Sequence, residues 1–226
     1  MPKTVRRAIL AFALAFGLIA GATISRSHAT PFIGEGTVTS VMTKIPVKGR
    51  APKTGYSRAQ FGQAWADTNH NGCDTRNDIL KRDLTNILFR PGTHDCVVLT
   101  GTLVEPYSGA IIHFVRGVLT SPEVQIDHIV SLSNAWQTGA FNLSSATRTL
   151  MANDPLELLA VKGSLNNQKS DGDAATWLPP LKSYRCTFVA RQVAVKAKYG
   201  LWLTKPEKAA IEKVLLKCPK QIVPTR

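Results

Sequence analysis

The sequence predicts an α+β fold with a small β-hairpin and surrounding helices. Three observations carry this. Val97 to Val104 and Ile111 to Val115 are β-rich runs joined by Glu105-Pro106-Tyr107-Ser108-Gly109, a hairpin pattern. Residues 124–171 run from a β-branched stretch through a polar linker to a second apolar stretch and a helix start. Tyr184 to Tyr199 and Glu207 to Lys217 place apolar side chains three or four apart, the period of helices packed by one face.

The chain opens with Lys3, Arg6 and Arg7, then apolar Ala8 to Ala22, then Ser27-His28-Ala29. That order reads as a cleavable secretory leader over residues 1–29. The apolar stretch is short for a spanning helix, so no stable membrane insertion is expected after cleavage and the protein is expected to be secreted. The leader holds four of the 28 Lys+Arg and none of the 15 Asp+Glu. The remaining 197 residues then carry 24 basic against 15 acidic side chains, a net +9. Such a charge favours polyanions, nucleic acid first and an anionic envelope second. Cys73, Cys96, Cys186 and Cys218 suit an oxidising compartment. Four cysteines allow three pairings, and proximity favours Cys73–Cys96 and Cys186–Cys218. The lack of a C-x-x-C pair argues against zinc.

Residues 30–54, rich in Gly and Pro around Thr37 to Met42, read as an extended arm with one strand. Residues 55–226 read as one domain. Arg58 to Trp65 reads as a short helix. Asp67, Asn69, Asn71 and Gly72 match positions 1, 3, 5 and 6 of an EF-hand loop, with Asp78 at position 12. The loop binds Ca²⁺ on that reading. On another it is a polar turn capping a helix over Thr75 to Leu88. On a third, Arg76 and His70 face a substrate groove.

Asn134 to Phe141 and Ala146 to Ala152 read as helices. Arg148 either holds a phosphate bidentately or pairs with a nearby acid. His113, between Ile112 and Phe114, faces away from them. Arg191, Lys196 and Lys198 lie between the apolar positions of the 184–199 helix and read as a solvated face.

The residues richest in chemistry lie between Gln125 and Lys169. Asp127 and His128 are neighbours on a predicted strand and so point to opposite faces. A twist or bulge would be needed to bring both to one site. Asn153-Asp154-Pro155 begins the second apolar run, which ends at Val161. Asn166 and Lys169 follow as Asn-x-x-Lys at a helix start. This order, with Asp171 to Pro180 behind it, resembles the HNH or ββα-metal endonucleases. It is most similar to the secreted branch related to the C-terminal domain of GmrSD-type restriction enzymes. The resemblance spans roughly Tyr56 to Cys218.

The resemblance implies a ββα-metal core. It makes His128 the general base and places Asp127 and Asn166 on Mg²⁺ or Mn²⁺. Lys169 would hold the helix or a phosphate. Where the family usually has a loop-bracing asparagine, this chain has Glu157. A carboxylate lacks amide donors, so Glu157 would brace the loop in part or sit near the metal, and Asn153 would share the bracing. The expected function is an exported, metal-dependent endonuclease, with DNA favoured as substrate. The alternative is a non-catalytic exported binder of calcium or polyanions on the same scaffold.

Overall fold

The computed structural model describes residues 36–225. The leader expected over residues 1–29 lies outside them. From Thr37 the chain forms a helix, α1 (Val38–Met42), whose N-cap is the Thr37 hydroxyl accepting from Ser40 N. This corrects the extended arm. Val38, Val41, Met42 and Ile45 fall at helical spacing, and all are buried in the main core. There α1 packs on α6 (Arg185–Lys198). Burial of that stripe overrides the strand preference of a Val/Thr run.

Arg58–Phe61 makes a single 3-10 turn rather than a longer helix. α2 (Thr75–Asp83) starts at Asp74, whose carboxylate accepts from Asn77 N at 2.8 Å. The helix expected to reach Leu88 stops at Asp83. Leu84–Phe89 instead forms β1, antiparallel to β2 (Val98–Val104), which pairs in turn with β3 (Ile111–Val115). The expected hairpin is therefore two strands of a three-stranded sheet. Leu84, Val98, Leu103, Ile112 and Phe114 pack with Ile79 and Leu80 of α2 in one apolar cluster. Cys73–Cys96 ties the loop before α2 to the β1–β2 connection.

β4 (Val124–His128) and β5 (Leu158–Lys162) form a separate antiparallel pair. Its two faces serve two cores. Val124, Ile126, Leu158 and Ala160 join the cluster under the three-stranded sheet. Leu159 and Val161 join the larger core, built with α1, α3 (Leu132–Gln137), α4 (Ser145–Ala152), α6 and α7 (Lys205–Leu215). A strand pair buried on both faces reads as a continuous apolar run, which Leu158 to Val161 is. α5 (Gly163–Lys169) leaves β5 without a loop. Any Cβ at Gly163 would collide with the Pro122 carbonyl, so glycine lets α5 lie close beside the start of β4.

Cys186–Cys218 staples α6 to the chain just after α7. The solvated face expected on α6 is only partly one. Lys196 is 1% exposed and lies 2.7 Å from Glu207. Arg191 donates to the carbonyls of Leu156 and Leu158, both at 2.8 Å. Both cations are structural, because a buried charge needs a partner. No helix among the described residues is long and apolar enough to cross a membrane.

The turn from β4 into α3 is closed by Glu157. Its carbonyl accepts from Ile129 N at 2.8 Å, and its Oε2 accepts from Val130 N at 3.0 Å. Glu157 is fully buried, and desolvation raises its pKa well above the ordinary 4.5. The fold therefore favours the neutral acid. Above the unfolded value the unfolded chain releases that proton while the folded chain keeps it, so stability falls as pH rises. Glu157→Gln removes this penalty. Its melting temperature should match the parent's at about pH 4 and exceed it by a growing margin toward about pH 8. A difference that stays flat with pH would show that Glu157 is ionised in the fold.

Candidate active site

β4 has β5 on one side and no strand on the other. A cleft of about 250 Å³ runs along this open edge, lined by all four residues from Gln125 to His128. Consecutive strand residues alternate faces, so they border one cleft only where it meets the strand edge-on. This corrects the expected twist or bulge: the β4–β5 ladder is regular over five pairs, from Val124↔Lys162 to His128↔Leu158. Arg58, Trp65, Arg76, Ser131, Leu132, Asn166 and Ser170 complete the walls.

His128 is 8% exposed. Its Nε2 lies 3.1 Å from the Ala152 carbonyl, at the end of α4. A carbonyl only accepts, so Nε2 carries the hydrogen and Nδ1 is left as the basic nitrogen. The Trp65 ring lies nearly parallel to the imidazole, 6.1 Å away and inclined by 19°. Burial and the Arg58 charge lower the His128 pKa to about 3, against the Ala152 hydrogen bond, and Lys169 adds to the lowering. The imidazole is neutral at ordinary pH.

Asp127 points to the other face of β4. Its Oδ2 accepts from the Tyr107 hydroxyl at 2.5 Å and its Oδ1 from Lys169 Nζ at 2.9 Å. Lys169 also donates to the His128 carbonyl at 2.8 Å. Tyr107 is fully buried, and burial together with the neighbouring carboxylate holds its hydroxyl well above the usual phenol range. It therefore stays a donor to Asp127. Asn166 donates through Nδ2 to Gln125 Oε1 at 2.9 Å, which leaves its own carbonyl oxygen available.

Each Asp127 oxygen accepts one hydrogen bond and retains a further lone pair. With the Asn166 oxygen, this is a hard-oxygen donor set on one cleft. It fits a divalent cation such as Mg²⁺, which takes one or two protein ligands and keeps several waters. No cluster of three or more His, Cys, Asp or Glu suited to a metal occurs among the described residues.

The other predicted residues divide. Arg76 lines the cleft and donates to the Val124 carbonyl at 3.0 Å. Lys169 is 2% exposed and holds α5 on β4, so the helix-holding role fits and a phosphate contact does not. Arg148 is also buried. It donates to the carbonyls of Gln60 and Leu143 and stacks on Trp136, and among the described residues it pairs with no acid. Asn153 lies at the end of α4, with Nδ2 on the Thr149 carbonyl at 2.9 Å. His70 is exposed, and His113 sits on the outer sheet face beside Thr102; neither lines the cleft.

The Asp67 loop gathers its candidate calcium residues, but engages them with itself. Asp67 accepts from Asn71 N and Gly72 N, and Asn69 also accepts from Asn71 N. Asn71 accepts from Cys73 N and donates to Asp78.

Sequence reasoning missed Arg58, Trp65, Tyr107 and Gln125. Tyr107 lies in a hairpin turn, and Arg58 and Trp65 in a stretch without a motif. Only their type, an exposed cation and aromatics in a basic exported chain, gave any signal.

The model of the family described as GmrSD restriction endonucleases, C-terminal domain, matches residues 74–214. An uncharacterized secreted protein of Arthroderma benhamiae is 35% identical over 184 residues, covering 80% of this chain and 85% of that protein. No solved structure matches the chain. Asp127, His128, Glu157, Asn166 and Lys169 all lie inside the matched stretch, while Arg58 and Trp65 lie before it. The chain belongs to the family of GmrSD restriction endonuclease C-terminal domains.

Proposed function

We propose that the protein is an exported, divalent-metal-dependent endonuclease of the HNH type that hydrolyses phosphodiester bonds, with DNA the favoured substrate. The observation that carries this is His128: a neutral imidazole with Nε2 tied back and Nδ1 unengaged, on a cleft that also holds two arginines and two oxygen-donor side chains. Export is supported by the leader pattern, the two disulfides and the secreted relative.

The Arg58 side chain is exposed and has no hydrogen-bond or ion-pair partner among the described residues. It takes the phosphate and orients it, with Arg76 on the same cleft. His128 Nδ1 accepts a proton from the attacking water. Asp127 and Asn166 would hold the divalent cation, with Tyr107 and Lys169 fixing the Asp127 carboxylate. When bound, the cation supplies neutralisation of charge on the scissile phosphate and leaving oxygen. Burial is the larger cause of the lowered His128 pKa and the Arg58 charge the second, so a phosphate paired with Arg58 offsets only the smaller part of that lowering.

The first test is plasmid digestion in Mg²⁺ with and without EDTA. His128→Ala should lose about 10²–10⁴-fold in rate, the usual yield of a positioned acid–base group, while binding DNA and melting as the parent does. Cutting at the parental rate would overturn the assignment of the base.

Arg58→Ala and Lys169→Ala should separate binding from folding. Arg58→Ala should weaken DNA binding and reduce the slope of log affinity against log salt by about one, without a change in melting temperature. Lys169→Ala should lower the melting temperature markedly, since breaking a buried ion pair costs about 3–5 kcal/mol. An unchanged salt slope in Arg58→Ala would remove Arg58 from the phosphate contact.

A further inference from the structure

A second cavity, also about 250 Å³, lies against His128 beside the cleft. The two share four wall residues: Arg58, Trp65, His128 and Leu132. Their chemistry differs. Outside the shared wall the cleft is lined mostly by polar side chains, Arg76, Gln125, Asp127, Ser131 and Asn166 with Ile126, and the second cavity mostly by apolar ones, Phe61 and three alanines with Gln63 and Asn153. A site for a phosphate alone needs no apolar annex next to its base.

We propose that this cavity receives one unstacked nucleobase of the nucleotide next to the scissile phosphate, so that the enzyme selects single-stranded or locally melted nucleic acid. The proposal rests on the nuclease reading above and adds the form of its substrate. Three features of the cavity support it.

The first is adjacency. With Arg58 and His128 in both walls, a phosphate in the cleft places its neighbouring base at the mouth of the cavity. The second is Trp65. It is half-buried, and its backbone sits at φ +58°, a left-handed conformation costly for a bulky residue. Such strain persists only where the surroundings impose it, and it gathers at ligand sites. Here the Trp65 carbonyl accepts from Thr75 N at 3.2 Å, which fixes the ring beside His128. Every base has a π-face, so an aromatic wall binds bases with little regard to sequence. The third is Asn153. It is 2% exposed, and while Nδ2 is bonded to Thr149, its Oδ1 is buried with no partner. A native fold seldom leaves such an acceptor unused. Asn153 lines the cavity, and a turn of its amide would bring Oδ1 to an N–H on a base edge, which is accessible only once the base leaves its pair.

The test uses the full secreted protein and short single-stranded oligonucleotides in which one nucleotide at a time is abasic. Binding is read by fluorescence anisotropy in EDTA and cutting in Mg²⁺. The parent should bind roughly tenfold more weakly when one position lacks its base, as expected for a lost base–aromatic stack. It should bind duplex of the same sequence more weakly than single strand. Trp65→Ala should bind the intact oligonucleotide at the weakened level and be indifferent to the abasic position, while Trp65→Phe should keep the position dependence. Binding that is insensitive to every abasic position, a dependence that persists in Trp65→Ala, or no binding of single strand would each overturn the proposal. The scan on the unaltered protein decides even where Trp65→Ala fails to fold. Position-dependent binding without any cutting would sink the nuclease reading and leave the base cavity standing. Cutting with position-independent binding would do the reverse.

Discussion

The ammonium of Lys169 is buried and donates to the Asp127 carboxylate and the His128 carbonyl. Taking an ammonium out of water costs several kcal/mol, and only a nearby opposite charge with good geometry offsets it. Both partners lie on β4, so α5 has one favourable position against that strand. Asn166 precedes Lys169 by three residues, one helical turn, and therefore shares its face. Fixing Lys169 fixes Asn166 over Gln125 and brings two donors from α5 and β4 to one cleft. Glycine at 163 permits the same approach at the other end of the helix.

Asp127 is also where the two halves of the molecule meet. Tyr107 reaches it from the β2–β3 turn of the three-stranded sheet, while its ring packs on Trp177 and Phe188 in the main core. The carboxylate is thus held by groups from two elements, the β2–β3 turn and α5, one on each oxygen. In the proposed metal site this makes the Asp127 oxygens preorganised, with Tyr107 and Lys169 as the groups that orient them. The open edge of β4 completes the arrangement. Adding a strand there would consume the edge and separate Asp127 from His128 by the thickness of the sheet.

Much of this was legible in the sequence where side-chain chemistry and local order coincide. The hairpin, the strand–strand–helix order, both disulfides and the two C-terminal helices follow from periodicity, turn residues and cysteine spacing. What failed depends on tertiary context. Val38 to Met42 has strand composition, yet the surface of α6 rewards a helical stripe. Leu84 to Phe89 continues a helix by propensity, yet β2 offers its backbone a ladder. Lys169, Lys196 and Arg148 look like surface cations, and their long stems instead carry buried charges to carboxylates and carbonyls. Arg58 and Trp65 belong to the site only because the fold carries residues 58–65 across the end of α4 and the open edge of β4.

Glu157 illustrates how chemistry can survive a change of residue type. The expected weakness of a carboxylate there was its lack of a donor. Burial reverses the premise, because the neutral acid that the fold favours has an O–H. Its Oε2 grips Val130 N, and Gln192 Nε2 grips the carbonyl of Ile129 next to it. The remaining oxygens, Glu157 Oε1 and Gln192 Oε1, are both buried acceptors without a donor. One proton on Glu157 turns one of these two acceptors into a donor, which ionisation would forbid. The neutral acid then offers the loop after His128 one donor and one acceptor, the same kinds of group that an amide offers. The backbone just after His128, the proposed general base, is held by these contacts, and a neutral Glu157 adds no second negative charge near Asp127.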